Sequence, residues 1–187
     1  MDAIFHSFGL VLLSEMGDKT QLLALVLALR YKQTWPVLAG ILVATVLNHG
    51  LATWLGFWAA SQISEELLRA VLALLFFAFA IWILVPDKLD GEEQRIYKRQ
   101  SAFWATLVLF FLAEMGDKTQ LATLALGAKF QQPLAVTIGS TLGMMVANGL
   151  AIVFSEKLTK IFPMKAIRIV SSILFLIFGL AILYKWI

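Results

Sequence analysis

Six apolar stretches, at about 4–29, 35–59, 67–85, 103–128, 134–155 and 167–186, occupy almost the whole chain. A helix rising 1.5 Å per residue needs about 20 apolar residues to cross roughly 30 Å of hydrocarbon, so each stretch is a candidate membrane span. Soluble domains average about 45–50% apolar residues; this chain of 187 has 60% and a mean hydropathy of +0.85. The runs lack period-two alternation and are rich in Leu, Ala, Ile and Phe. That pattern predicts an all-α membrane protein with six transmembrane helices and disfavours an outer-membrane barrel.

Several function classes fall away on composition. There is no cysteine, which removes disulfides, thiolate metal ligands and thiol redox chemistry. The net charge of +3 comes from residues in short loops, and no basic face or aromatic-basic array suits nucleic acid. The opening MDAIFHSFG has neither a basic leader nor a small-residue cleavage site, so the first helix is expected to be retained.

Sliding the sequence on itself by 99 residues aligns Glu15 with Glu114, Asp18 with Asp117, Gly40 with Gly139 and Arg69 with Arg168. Further on, Leu75, Phe76 and Phe79 meet Leu174, Phe175 and Phe178. The chain therefore reads as two three-helix repeats, 1–85 and 102–187, joined by a polar linker at 86–101. An odd number of spans per repeat makes the second enter from the opposite side, giving inverted repeats about an axis in the membrane plane. Loop charges orient the assembly: Arg30, Lys32, Lys88, Arg95, Lys98, Arg99, Lys157, Lys160, Lys165 and Arg168 fall on one side, against Arg69, Lys129 and Lys185 on the other. The first side is expected to be cytoplasmic, with both termini outside.

Into the middle of the first and fourth stretches the sequence writes EMGDKTQ, at 15–21 and again at 114–120. Glu15 and Glu114 lie too deep for snorkelling. On a continuous helix Glu15, Asp18 and Lys19 share a face, with Gln21 three residues beyond Asp18, and the second motif repeats this with Glu114, Asp117, Lys118 and Gln120. Six unpaired ionisable groups would cost on the order of 15–20 kcal/mol in a bilayer, so they must meet each other or a ligand. Four carboxylates and two ammonium groups sum to −2, which one divalent cation neutralises. Oxygen ligands suit Mn²⁺, Ca²⁺ or Mg²⁺, whereas Cu⁺ favours sulfur. Protons compete for the same oxygens, because a medium of low dielectric favours the neutral carboxyl. Gly17 and Gly116 point either to close helix packing or to a local break that frees backbone carbonyls.

Glu15, Asp18, Glu114 and Asp117 are the candidate metal ligands. Lys19 and Lys118 are internal counter-charges, since an ammonium has no lone pair to give. Gln21, Gln120, Asn48, His49 and Asn148 are candidates for the metal or proton path; Thr45 and Thr141 lie near them, and His49 aligns with Asn148 under the shift. A hydrogen-bonded structural histidine is the plainer account of His49. The tryptophans mostly fall toward span ends, where indole prefers the interface. The linker acids Asp87, Asp90, Glu92 and Glu93 read as a solvated loop. A buried charge network that only fixes helix register is the alternative for the motif itself.

The pair Glu15-Met16-Gly17-Asp18-Lys19-Thr20 and Glu114-Met115-Gly116-Asp117-Lys118-Thr119 resembles the doubled E-x-G-D-[KR]-[ST] signature of the GDT family of cation exchangers, which includes bacterial manganese exporters. Both copies match without a departure, and the six-helix plan matches throughout. The resemblance implies export of Mn²⁺, or Ca²⁺ in some members, in exchange for protons, with the motif acids forming the site. It implies no resident cofactor, the cation being the substrate, and partners limited to cation, protons and lipid. The absence of a targeting extension and a long central loop favours a bacterial inner membrane. A passive cation channel, an intramembrane metal-dependent enzyme and a non-transporting assembly protein are the rival readings, and the helix faces leave homo-oligomerisation open.

Overall fold

The computed structural model describes residues 1–85, 101–161 and 164–184, without side-chain detail at 154–161, 164 and 167. Residues 86–100 of the linker predicted at 86–101, the side chains of Lys157 and Lys160, and Lys185 and Trp186 lie outside what it describes. Eight α-helices and no strand are found among the described residues: α1 Asp2–Glu15, α2 Lys19–Tyr31, α3 Thr34–Ala60, α4 Glu65–Trp82, α5 Ala102–Glu114, α6 Lys118–Phe130, α7 Pro133–Ile161 and α8 Met164–Leu183.

The stretches expected as single helices at 4–29 and 103–128 are each two helices. The cause is the glycine inside each motif. Gly17 has φ of 83° and Gly116 has φ of 77°, a left-handed conformation that L side chains resist and glycine adopts freely. Met16 and Met115 before them are extended, so the chain leaves one helix, turns, and starts another at Asp18 or Asp117. Each piece of 13 or 14 residues is only about 20 Å long, too short to cross a bilayer alone. Both second pieces end the same way, at Lys32 (φ 52°) and Gln131 (φ 54°), residues matched by the 99-residue shift.

Helices α3 and α7 are unbroken. Thr34–Ala60 and Pro133–Val153 are long and apolar enough to span a membrane, and Ala102–Glu114 and Arg168–Leu183 are shorter apolar helices. Helix α1 packs along α7 and α5 along α3, pairs that exchange under the shift. Glycine allows these close approaches: a Cβ on Gly40 would lie 2.8 Å from the Phe103 carbonyl, and one on Gly139 would overlap the Ile4 carbonyl. Helices α4 and α8 meet through their matched phenylalanines, with ring centroids 5.9 Å apart for Phe76–Phe175 and 5.3 Å for Phe76–Phe178. A second apolar cluster, with Leu23, Leu27, Ile41 and Phe110, joins α2, α3 and α5.

The distribution of polarity is the reverse of a water-soluble domain. Leu51, Leu74, Ile81 and Val153 are 63–71% exposed on the outside, while Glu15, Asp18, Glu114, Asp117 and Lys118 are buried within 6% exposure. An apolar exterior of this extent suits hydrocarbon, and the chain is a membrane protein.

Candidate metal centre

The two breaks bring the motif side chains to one place. Glu15 closes α1, Asp18 precedes the first turn of α2, and Glu114 and Asp117 stand likewise between α5 and α6. The shared helical face expected for each motif is therefore replaced by a turn, because the positive-φ glycine interrupts the helical period between the two acids. One oxygen each from Glu15, Glu114 and Asp117 lies within 4.8 Å of the others, and all three side chains are buried. Carboxylate oxygens are the ligands that hard divalent cations take.

The fourth acid makes an ion pair with the other half. Asp18 Oδ1 lies 3.4 Å from Lys118 Nζ, an ion pair that joins the two halves with both side chains at most 5% exposed. Lys118 is buried in this pair, while Lys19 is half-buried.

Glu15 and Glu114 differ in their surroundings. Glu15 Oε2 accepts from the Thr20 hydroxyl at 2.7 Å, and Oε1 accepts from the Thr119 hydroxyl of the other half. Neither oxygen of Glu114 has a hydrogen-bond donor. Two buried carboxylate oxygens without donors are costly in a protein interior and call for a cation or a proton. Thr20 and Thr119 were not among the sequence candidates; their signal was a hydroxyl at the same place in both motifs.

Of the polar residues expected along the path, the two glutamines shape the breaks. Gln21 Oε1 accepts from the Gly17 amide and Gln120 Oε1 from the Gly116 amide, each at 2.7 Å. Their amide groups tether each break to a long helix: Gln21 Nε2 donates to the Ala147 carbonyl at 2.8 Å, Gln120 Nε2 to Asn48 Oδ1 at 3.2 Å. Asn48 Nδ2 donates in turn to the Phe111 carbonyl at 3.0 Å. Asn148 Nδ2 donates to the Met144 carbonyl at 3.1 Å, leaving Oδ1 without a partner. His49 is fully buried with no partner on either ring nitrogen, and it stands outside the carboxylate cluster. Thr45 and Thr141 are buried with unpartnered hydroxyls.

Comparison with known proteins bears on what this centre serves. The family model described as "Divalent cation/proton antiporter GDT1" matches residues 3–91 and 102–187. A Vibrio cholerae protein named "Putative manganese exporter" is 44% identical over 182 residues, covering 97% of this chain and 90% of that protein. Rice GDT1-like protein 4 (Oryza sativa subsp. indica) is 30% identical, covering 96% of this chain and 72% of that protein. GDT1-like protein 5 of Arabidopsis thaliana is also 30% identical, covering 93% and 92%. No protein of solved structure matches the chain. With the family model matching nearly its whole length, the chain belongs to the GDT1 family of divalent cation/proton antiporters, a family of transporters and not of enzymes.

Proposed function

We propose that the protein exports Mn²⁺ from the cytoplasm in exchange for protons, with Glu15, Glu114 and Asp117 as the cation ligands and Ca²⁺ as the alternative cargo. The observation that carries this reading is the convergence of three buried carboxylate oxygens within 4.8 Å. Three negative charges so close in a medium of low dielectric require compensation by a cation or by protons. Entry of Mn²⁺ displaces protons from these oxygens, and its departure lets protons return, so exchange follows from competition for one donor set. The manganese in the name of the Vibrio cholerae relative favours Mn²⁺ over Ca²⁺.

The architecture we infer is two inverted three-helix repeats, 1–85 and 102–187, joined by a cytoplasmic linker at 86–101 with both termini outside. Each broken stretch counts as one span, which gives six. Supporting this are the exchanged pairings α1–α7 and α3–α5 and the contact of Phe76 with its own repeat mate Phe175, since equivalent residues meet one another at a two-fold axis. Discontinuous helices flanking a central ion site are a recurrent transporter device, their exposed ends supplying partial charges near the cargo. The bacterial relative supports a bacterial inner membrane.

Reconstitution in liposomes under an imposed pH gradient tests the reading, with Mn²⁺, Ca²⁺ and lumenal pH followed together. Mn²⁺ uptake matched by proton release, and lost in a folded Glu114→Gln variant, is the expected result. Mn²⁺ flux without coupled proton movement would replace the exchanger by a channel.

A further inference from the structure

The two breaks share sequence and backbone conformation, yet they are covered differently. Over the first, Arg168 Nη2 donates to the Gly17 carbonyl at 3.4 Å and the Ser171 hydroxyl donates to the Leu13 carbonyl at 2.7 Å, so the start of α8 is fastened to the C-terminal end of α1. A guanidinium there answers both the unpaired carbonyls and the negative end of the helix dipole. Arg69, the repeat mate of Arg168, makes no such contact; it donates instead to Glu65, one turn back on α4, at 2.6 Å. That partner's side chain is 86% exposed. The second break stays open: Met115 is 53% exposed, and a Cβ on Gly116 would meet nothing within 4 Å.

Helix packing follows the same asymmetry. Helix α8 lies on α1 and α4 lies on α6. The repeat shift maps these contacts onto α4–α5 and α8–α2, neither of which is made to comparable extent among the described residues. Arg69 and Glu65 together line a cavity of about 270 Å³ with Leu72, Lys129 and Ile182, at the end of α6 away from Gly116. At the centre, Thr119 and Lys118 of the second break serve Glu15 and Asp18 of the first.

We propose that Arg168 and Arg69 are alternating clasps. In the state described here α8 is fastened through Arg168 to the first break; in the opposite state α4 is fastened through Arg69 to the Gly116 carbonyl, and Arg168 is released. The proposal rests on the exchanger reading, in which the two repeats take turns at closing the path to the central site. Because equivalent groups change places, the two states are near mirror roles of one sequence, and an arginine on each side holds whichever gate is closed. Arg69 and Arg168 are positioning residues in this scheme and touch no cation.

The natural absence of cysteine makes the test direct. Spin labels on two repeat-matched cysteine pairs, Leu13→Cys with Ile173→Cys and Leu112→Cys with Leu74→Cys, report the α1–α8 and α5–α4 distances in liposomes at high and low pH, with and without Mn²⁺. The expected result is two distances per pair whose populations trade: the first pair short when the second is long. Arg168→Gln should shift the ratio toward the α4–α5 state by about tenfold, the order a charge-assisted hydrogen bond supplies. Arg69→Gln should shift it the other way, and Arg168→Lys should restore most of the native ratio. Opposite signs are what a merely structural role cannot give. Glu65→Gln, which weakens the contact that holds Arg69 away from the second break, should favour the α4–α5 state by about two- to five-fold. Distances that stay fixed in all conditions, or arginine variants that leave the ratio unchanged, overturn the clasps. Mn²⁺–proton exchange is measured on the same samples. Populations that trade without exchange would leave the clasps standing and sink the exchanger reading, whereas normal exchange with fixed distances would do the reverse.

Discussion

Glu15 and Glu114 occupy equivalent places in two copies of one motif, yet Glu15 accepts two threonine hydroxyls and Glu114 accepts none. The same six residues on the same backbone have thus been given different electrostatic surroundings by the way the halves meet. A site of two identical, fully satisfied carboxylates would hold itself together without cargo. Here one acid is held in position by its neighbours, while the other has no hydrogen-bond donor on either oxygen. In the exchange proposed above, that unequal satisfaction is what lets a cation and protons take turns at the same oxygens.

The sharpest way to break this comparison is to neutralise each acid in turn. Glu15→Gln and Glu114→Gln should both weaken Mn²⁺ binding, by on the order of 100-fold or about 3 kcal/mol. Their effects on the metal-free protein should have opposite signs. Glu114→Gln replaces an acid that must take up a proton to be neutral in the metal-free protein and should raise the thermal unfolding midpoint at neutral pH, whereas Glu15→Gln disturbs a satisfied carboxylate and should lower it. Equal shifts in differential scanning fluorimetry would mean that the two acids are equivalent after all. Next in size, Gly17→Ala and Gly116→Ala should each cost about 1–2 kcal/mol through the left-handed backbone alone, measured as reversible unfolding in detergent. A much larger loss at one break would separate the two turns.

Smaller effects sharpen the contrast. Thr119→Val removes the donor that reaches Glu15 from the other half and should lower stability by about 1 kcal/mol, read by the same unfolding measurement. The smallest effect concerns the tethers. Gln21 is anchored to a backbone carbonyl, but Gln120 depends on the side chain of Asn48. Asn48→Ala should therefore speed hydrogen exchange a few-fold at residues 115–118 and leave residues 16–19 as they were.

Much of this was legible in the sequence, and the parts that were not have physical reasons. Apolar stretches and the 99-residue shift depend on composition and order alone, and the all-helical class followed from them. The breaks were half visible: a glycine in an apolar run reads equally as a packing residue or as a turn, and only φ distinguishes them. Hydropathy sums over the turn, which is why α1 and α2 appeared as one span. Gathering Glu15, Glu114 and Asp117 follows from having two motifs at equal depth. The pairing of Asp18 with Lys118 does not, because a repeat is symmetric on paper while the folded halves meet asymmetrically. Arg69 and Arg168 were aligned by the shift but counted as loop charges; their difference is a matter of tertiary contact.

The pairing of α1 with α7 and of α3 with α5 has a consequence for synthesis. Each half completes its core with a helix from the other, and Lys118 and Thr119, the partners of Asp18 and Glu15, lie in the second half. At about 5–20 residues per second, the ribosome delivers the second motif roughly 5–20 s after the first. For that interval the nascent first half carries Glu15 and Asp18 without Thr119 and Lys118, the groups that later meet them. The delay between the two motifs is thus an interval in which the first acids exist without their later partners, and it is set by the 99-residue spacing itself.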